Sequence, residues 1–285
     1  MTENTYLLVL SCPDRRGIVA AVASCLSQRG ANVLEAQQFG DPDSRRFFLR
    51  MVFSLDDEQL AALREALRAL EPGLAIDWEV RPLRQRPKVV LMVSRFDHCL
   101  ADLLYRWRIG ELEMDIVAII ANYPEETYAN LNFGGAPFHY LPVTPETKLE
   151  QEAQLKAIVT ATGAELVILA RYMQILSDDL SAFLSGRCIN IHHSFLPGFK
   201  GAKPYHQAFR RGVKLIGATA HYVTSDLDEG PIIEQDVERI SHASRPADLV
   251  RKGRDIERRV LARAVRLHLE GRVVVNGART IVFSD

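Results

Sequence analysis

Residues 188–231 bring together side chains that suit attack on a carbonyl group. Asn190 and His192 lie two positions apart in a predicted strand, so their side chains leave the same face of the sheet. His221 belongs to the next predicted strand, and Asp228 follows it in a loop. An amide can stabilise an oxyanion, an imidazole can donate or transfer a proton, and a carboxylate can hold and deprotonate a water.

Each of these residues also has a plainer explanation. Asn190 could be a turn residue, Asp228 could be a turn acid, and for His193 we favour a buried core histidine. His192, His193 and His221 could instead bind zinc, since imidazoles are common ligands. The sequence has no HExxH or comparable spacing, however, and adjacent strand histidines should point to opposite faces. We therefore expect no metal.

Length and composition restrict the class of protein. A chain of 285 residues predicts two domains, and 47% apolar with 25% charged residues is typical of a globular protein. A net charge of -1 argues against nucleic-acid or membrane partners. The scattered cysteines, without a CxxC pair, indicate reduced thiols. The N-terminus lacks a signal peptide pattern, and no window approaches the roughly 20 apolar residues of a membrane span. We expect a cytoplasmic protein.

The first 82 residues alternate strand and helix signals in the order β-α-β-β-α-β, which predicts a ferredoxin-like domain. Helices are expected at Ile18–Gln28 and Asp56–Leu70, from apolar residues at helical spacing. The strands are expected at Tyr6–Leu10, Asn32–Phe39, Arg46–Phe53 and Ala75–Val80.

Residues 83–87 are predicted to be a linker, and residues 88–285 a second domain. Its continuous apolar run, Lys88–Ser94, is typical of a buried parallel strand. Strand and helix signals alternate after it, including Tyr140–Val143 as a strand and Leu176–Leu184 as a helix. The pattern predicts an open, mostly parallel α/β sheet with helices on both faces, in which ligands bind near the carboxyl ends of strands.

The first domain resembles ACT domains, small regulatory modules. In that family the turn after the first strand, here Asp14–Gly17, opens an amino-acid pocket. The resemblance implies Asp14 and Gly17 as effector-binding residues and an amino acid as a possible effector. Alternatively, these two residues only cap and turn the chain. ACT modules commonly pair, so a homo-oligomer, a dimer or tetramer, is expected by analogy.

The second domain resembles the 10-formyltetrahydrofolate transferase and hydrolase family. The resemblance rests on Asn190-Ile191-His192, Ser194–Pro197, His221-Tyr222-Val223, Asp228 and the segment Leu169–Ser177. It implies a formyltransferase-type fold, a catalytic trio and a folate pocket. The trio falls on Asn190, His192 and Asp228, with His221 in support, and the implied folate-binding residues are Met173, Leu176 and Ser225.

The turn after the first strand of this domain separates hydrolases from transferases. Glycinamide ribonucleotide transformylases carry a glycine-rich phosphate loop there, whereas Ser94–Cys99 has no glycine and contains Asp97, which would repel a phosphate. Residues 201–206 also depart from the transformylase pattern. Water is then left as the nucleophile, and the whole chain resembles the formyltetrahydrofolate deformylase family.

That resemblance implies hydrolysis of 10-formyltetrahydrofolate to tetrahydrofolate and formate without a cofactor, with the formate supplying purine synthesis. Asp228 would activate water, and Asn190 and His192 would hold the oxyanion. Two alternatives stay open: a formyltransferase with another amine acceptor, and a non-catalytic folate or amino-acid sensor.

Overall fold

Alternating strands and helices in the first eighty residues fold into an antiparallel sheet with two helices. The structure, a computed structural model, describes residues 3–198 and 204–284. The sheet order is β2-β3-β1-β4, and the predicted ferredoxin-like arrangement is confirmed. The elements are β1 Glu3–Pro13, α1 Ile18–Ser27, β2 Asn32–Asp41, β3 Arg46–Asp56, α2 Asp57–Leu74 and β4 Asp77–Pro82.

The apolar stripe of each helix covers one face of this sheet. Ile18, Val22 and Leu26 repeat at helical spacing on α1, and Leu63 and Leu67 do so on α2. All five are buried in one cluster with the inward residues of the strands. Burial of these stripes is what holds both helices on the sheet.

The end of the chain belongs to the same compact unit as residues 3–85. Residues 270–276 and 281–284 group with it, whereas residues 86–269 and 277–280 form the second unit. Arg50, which is 2% exposed, donates to the carbonyl oxygen of Glu270 at 3.3 Å and to Glu35 at 2.8 Å. Asn276 donates to Asp41 at 2.7 Å. Hydrogen bonds between segments far apart in the sequence therefore attach residues 270–276 to the first unit, and no local sequence pattern indicates such bonds.

The second unit is built on a seven-stranded sheet of order β11-β10-β9-β8-β5-β6-β7. Strands β5 to β9 are parallel, and β10 and β11 are antiparallel, so the predicted mostly parallel α/β sheet is confirmed. The elements are β5 Lys88–Val93, α3 His98–Arg108, β6 Asp115–Ala121, β7 Phe138–Tyr140, α4 Lys148–Thr162, β8 Leu166–Leu169, α5 Asp178–Phe183, β9 Cys188–His192, α6 Pro204–Arg211, β10 Leu215–Tyr222, β11 Ile232–Arg239 and α7 Pro246–Leu269, followed by a hairpin of β12 Val273–Asn276 and β13 Arg279–Val282.

Strand β7 and helix α6 differ most from the sequence expectation. Strand β7 covers Phe138–Tyr140, ahead of the predicted Tyr140–Val143, because its backbone pairs with the end of β6. Helix α6 was not predicted. Among those of its side chains whose burial is described, Tyr205 and Ala208 are the buried ones, which is too short a repeat to detect. Among the described residues, no helix has the length and apolar character needed to cross a membrane.

The packing of α2 predicts the effect of a core substitution. Leu67→Ala removes a fully buried side chain and should destabilise the first unit by about 2–5 kcal/mol. Glu65→Ala, at an exposed position of the same helix, should change stability by less than about 0.5 kcal/mol. Urea denaturation of the full chain, followed by far-UV circular dichroism, measures both. Equal midpoints for the two variants would contradict the assignment of Leu67 to the core.

Candidate active site

The antiparallel pairing of β9 with β10 sets candidate residues side by side. Asn190 lies opposite His221 in the register, and His192 lies opposite Thr219. Opposed residues of neighbouring strands project to the same face. Accordingly, Asn190 Nδ2 lies 3.2 Å from His221 Nε2.

The tautomer of His221 decides how the Asn190 amide is turned. His221 Nδ1 lies 2.9 Å from the carbonyl oxygen of Tyr222, which only accepts, so Nδ1 carries the proton. Burial is the largest effect on His221 and lowers its pKa from the ordinary 6.5, despite the Tyr222 hydrogen bond and the Asp228 charge. The ring is therefore neutral at pH 7, and Nε2 accepts from Asn190. The second N–H of Asn190 has no acceptor among the described residues.

The loop between β10 and β11 carries Asp228 back onto this face. Asp228 has a φ of 58°, a left-handed conformation that non-glycine residues seldom adopt. Gly230 allows the return, because a Cβ there would collide with the carbonyl oxygen of Tyr222. The carboxylate oxygen Oδ1 then lies 3.2 Å from His192 Nδ1 and 3.8 Å from His221 Nε2.

Asp228 and His192 form a largely buried pair, with side chains 12% and 7% exposed. Burial is the largest single effect on Asp228 and acts to raise its pKa, but the His192 hydrogen bond and the charges of the neighbouring histidines outweigh it and lower the pKa from 3.8. Asp228 is therefore ionised at neutral pH. The other ring nitrogen of His192, Nε2, is buried and has no partner in the part of the chain that the structure describes. A buried polar atom left in this state calls for a partner from outside the protein.

A cavity of about 610 Å³ lies beside these groups, within the size range of small-molecule sites. Met173, one of the residues that line the cavity, is 49% exposed. Its backbone N–H donates to Ser94 Oγ at 2.9 Å, which anchors the chain around Met173. The predicted site residues of this unit that line the cavity are Asn190, His192, His221, Asp228, Met173, Leu176 and Ser225.

His193 departs from the expected geometry. Strand β9 ends at His192, so His193 no longer follows the strand alternation. The rings of His192 and His193 stack, with their centroids 5.2 Å apart and an angle of 14° between their planes. The expectation that these histidines point to opposite faces is therefore wrong. His193 is buried, as expected, but it also lines the cavity.

A buried carboxylate lies behind His193. Glu257 of α7, which is 1% exposed, bonds to His98 Nε2 at 2.8 Å and accepts from the Tyr205 hydroxyl at 2.6 Å. Arg171 Nε lies 3.2 Å from the same carboxylate, and Arg171 Nη1 donates to His193 Nδ1. Sequence patterns did not single out this group, because Arg171 and Glu257 are distant in the chain.

Three members of this region have metal-ligating chemistry. Potential ligand atoms of His98, Cys99 and Glu257 lie within 4.8 Å of one another. The guanidinium of Arg171, however, already neutralises Glu257. Burial raises the pKa of the Cys99 thiol well above 9.0, which opposes the thiolate that metals need. The donor set therefore does not fit a divalent cation.

Thr219 holds the chain that follows β9. Its hydroxyl donates to the carbonyl oxygen of Ser194 at 2.9 Å and accepts from the Leu196 N–H at 3.0 Å. Gln235 donates to the same hydroxyl at 2.9 Å. The sequence analysis did not predict this set of hydrogen bonds. The available signal was the threonine, Thr219, in the middle of a mostly apolar strand.

The two predicted effector residues lie in the first unit. Gly17 has a φ of 90° and precedes α1, and no side chain caps that helix. The backbone N–H of Asp14 donates to the Arg45 carbonyl oxygen at 2.8 Å, and the Asp14 carboxylate lies over Gly40.

The segment 201–206, which departs from the transformylase sequence pattern, is described in part. Residues 201–203 lie outside the described part of the chain, and Tyr205 and His206 belong to α6.

Known proteins match this chain across both units. A formyl transferase family model matches residues 87–265, and an ACT domain model matches residues 5–72. Formyltetrahydrofolate deformylase of Synechocystis sp. is 49% identical over 100% of both chains, and that of Corynebacterium sp. is 48% identical over 99% of both. The crystal structure of formyltetrahydrofolate deformylase from Burkholderia mallei is 53% identical, has a TM-score of 0.93, and covers 99% of this chain and 100% of that chain.

The chain belongs to the formyltetrahydrofolate deformylase family. The resemblance drawn from the motifs around Asn190, His192 and Asp228 is thereby confirmed at the level of the family. Membership of the deformylase family covers the full chain, including the ACT domain, and not the formyl transferase unit alone.

The hydrogen bonds of His221 predict its titration. In a ¹⁵N-histidine NMR titration, we expect the Nδ1–H tautomer and a pKa below 6.5. Asp228→Asn should lower this pKa further, because the carboxylate favours the protonated ring. Glu229→Gln, an exposed change in the same loop, is the matched control for Asp228→Asn. A proton on Nε2, or a pKa above 6.5, would contradict the arrangement of Asn190 and His221.

Proposed function

We propose that this chain hydrolyses 10-formyltetrahydrofolate to tetrahydrofolate and formate in the cavity beside Asn190, His192 and Asp228. The deformylase family supports the reaction, the hydrolysis of a linear amide C–N bond. The observation that carries the residue assignment is the 3.2 Å contact between His192 Nδ1 and Asp228 Oδ1, next to the Asn190 amide.

Asn190 stabilises the charge that develops on the formyl oxygen. One N–H of its amide is held by His221 Nε2, which orients the group and leaves the second N–H for the substrate. A donor oriented before the reaction needs no reorganisation, and such a donor contributes about 3 kcal/mol in comparable sites. His221 thus acts as a positioning residue.

His192 supports the same oxygen and returns a proton to N10. Its Nδ1–H donates to Asp228, so a second proton on Nε2 makes the ring an imidazolium paired with the carboxylate. In that form Nε2–H donates to the oxyanion and then passes its proton to the leaving nitrogen.

Asp228 accepts the proton of the attacking water. Its lowered pKa keeps it ionised at neutral pH, which makes it a hydrogen-bond acceptor for water but a weak base. A weak base suffices, because the water proton becomes strongly acidic as the new C–O bond forms. Water, formyl carbon and carboxylate must therefore be aligned, as the fixed loop around Asp228 allows.

The folate lies along the apolar wall of the cavity. Met173 and Leu176 pack on the pterin ring, and Ser225 offers a hydroxyl from the opposite loop. Backbone groups of the segment anchored by Ser94 are available to the pterin edge. The lining of the cavity and the family resemblance support these assignments.

Water is the acceptor of the formyl group. The Ser94–Cys99 turn has no glycine, and its His98 is tied to Glu257, so the turn presents no phosphate cradle for a second substrate. A transferase with another amine acceptor and a pure sensor are both disfavoured by membership of the deformylase family. The proposed steps use side chains only and require no cofactor.

The cellular role follows from the products. We propose that formate from this reaction supplies purine synthesis in the cytoplasm, where the four unpaired cysteines would stay reduced. The ACT domain supports an amino-acid effector and, by analogy with paired ACT modules, a homo-oligomer.

Substitution of the trio tests the mechanism. Asn190→Ala should lower kcat by about 100- to 1000-fold, since it removes an oxyanion donor. Asp228→Asn should lower kcat by about 100- to 10000-fold, since it removes the base. Formate release from 10-formyltetrahydrofolate measures both, with Glu229→Gln as the control expected to match wild type. Activity near wild type in either trio variant would remove that residue from the mechanism.

A second experiment tests the effector site. One or more amino acids should change the rate of formate release, and Asp14→Ala should weaken the response about tenfold, the cost of a hydrogen bond to a charged group. The basal rate of Asp14→Ala should equal that of wild type. An unchanged response in this variant would place the effector elsewhere.

A further inference from the structure

One ring nitrogen of His193 is engaged by the protein, and the other is open. Arg171 Nη1 donates to His193 Nδ1. A guanidinium has donors only, so Nδ1 must accept and carries no proton. The neutral ring of His193 therefore holds its proton on Nε2.

The surroundings of His193 keep this tautomer at working pH. Burial is the main effect and lowers its pKa to about 4, and the charge of Arg171 acts in the same direction. The carboxylates of Glu257 and Asp228 oppose these effects without overcoming them, and His192 adds to the lowering. At pH 7 the residue is a neutral imidazole with one N–H.

The Nε2–H of His193 is available to a ligand. No described residue accepts a hydrogen bond from it, and it is not among the buried side-chain atoms that lack a partner. His193 lines the cavity, so this N–H is open to the cavity. Its ring lies parallel to that of His192, 5.2 Å away, and His192 bonds to Asp228.

Buried groups hold this ring in place. Arg171 has a φ of 67°, a conformation unusual for a residue with a side chain, and lies 3.2 Å from Glu257. Glu257 is fixed in turn by His98 and Tyr205. A buried ion pair is weak support for stability by itself, but it fixes the direction of the Arg171 donor. Arg171 and Glu257 are thus positioning residues for His193.

We propose that His193 is a fourth catalytic residue, whose Nε2–H donates a hydrogen bond to the oxygen of the attacking water and holds it beside Asp228. The proposal rests on the roles assigned above to Asn190, His192 and Asp228. The formyl oxygen already has the donors of Asn190 and His192. The water has a proton for Asp228 and one lone pair for the formyl carbon, and its second lone pair accepts from His193.

The reaction balances with these groups. The water oxygen forms a bond to the formyl carbon while its proton moves to Asp228, and the carbonyl electron pair moves to oxygen. On collapse, the C–N10 bond breaks, N10 takes a proton from His192, and formic acid leaves. Formic acid loses one proton to solvent as formate forms. Asp228 then gives its proton to solvent and His192 Nε2 takes one back, because His192 Nδ1, which faces Asp228, has kept its own proton. His193 keeps its proton throughout.

Paired substitutions of His193 test the donor. His193→Phe keeps a flat buried ring without N–H and should lower kcat about 100-fold, with KM changed less than about threefold. His193→Gln keeps an N–H donor and should recover kcat to within about tenfold of wild type. His242→Phe, the same change at an exposed histidine, should match wild type. Thermal melting and tetrahydrofolate affinity, measured for each variant, separate misfolding from loss of catalysis.

Two further measurements distinguish the role from a structural one. With hydroxylamine added, His193→Phe should yield more N-formylhydroxylamine relative to formate than wild type, because water has lost its anchor. In ¹⁵N-histidine NMR of the wild type, His193 should show an Nε2–H tautomer from pH 8 down to about pH 5, a range above its pKa of about 4. An Nδ1–H tautomer, or an unchanged product ratio, would overturn the proposal.

The outcome also separates this proposal from the mechanism on which it rests. If Asn190→Ala and Asp228→Asn lose activity while His193→Phe turns over like wild type, only the role of His193 fails. If the two trio variants remain active, the assigned trio itself fails.

Discussion

The site depends on the pairing of β9 with β10. That register puts Asn190 opposite His221 and His192 opposite Thr219, so a donor, its orienting acceptor and a backbone clamp arise from two neighbouring strands. A shift of one residue would turn both site residues of β9 to the other face of the sheet. The loop with Asp228 adds a carboxylate to a face whose geometry the strands have already fixed. A sheet can hold such groups more accurately than flexible loops can.

Two carboxylates of the second unit, Glu257 and Asp228, differ in what their surroundings leave them able to bind. Glu257 is fully enclosed and its two oxygens are occupied by a guanidinium, a histidine and a tyrosine, so it has nothing left to offer a substrate. The side chain of Asp228 is 12% exposed at the cavity, and its described ion-pair contacts are to His192 and His221. The pKa of both groups is lowered and both line the cavity, yet the proposed mechanism gives a catalytic role only to Asp228. A lowered pKa by itself therefore does not distinguish a catalytic carboxylate from a structural one.

The sequence predicted what depends on local periodicity. The spacing of Asn190 and His192 on a strand placed both on one face, and the alternation of elements predicted both sheets. It did not predict Arg171, Glu257 or the terminal segment that joins the first unit, because these rest on contacts between distant positions. The side-chain direction of His193 was predicted wrongly for a different reason. Strand β9 ends at His192, one residue before His193, and side chains alternate between faces only within the strand.

The charges in the proposed site differ between the transition state and the product. Before the reaction, Asp228 is an anion stabilised by His192, and the substrate formyl group is neutral. In the proposed mechanism the cavity afterwards holds formate beside the Asp228 carboxylate and the His192 imidazolium, so the formate meets one like charge and one opposite charge. Asn190 and His192 would still donate to formate, but the oxyanion of the proposed transition state carries more charge on a single oxygen than formate does. With these roles, the site would bind the transition state more tightly than the product, which is what turnover requires.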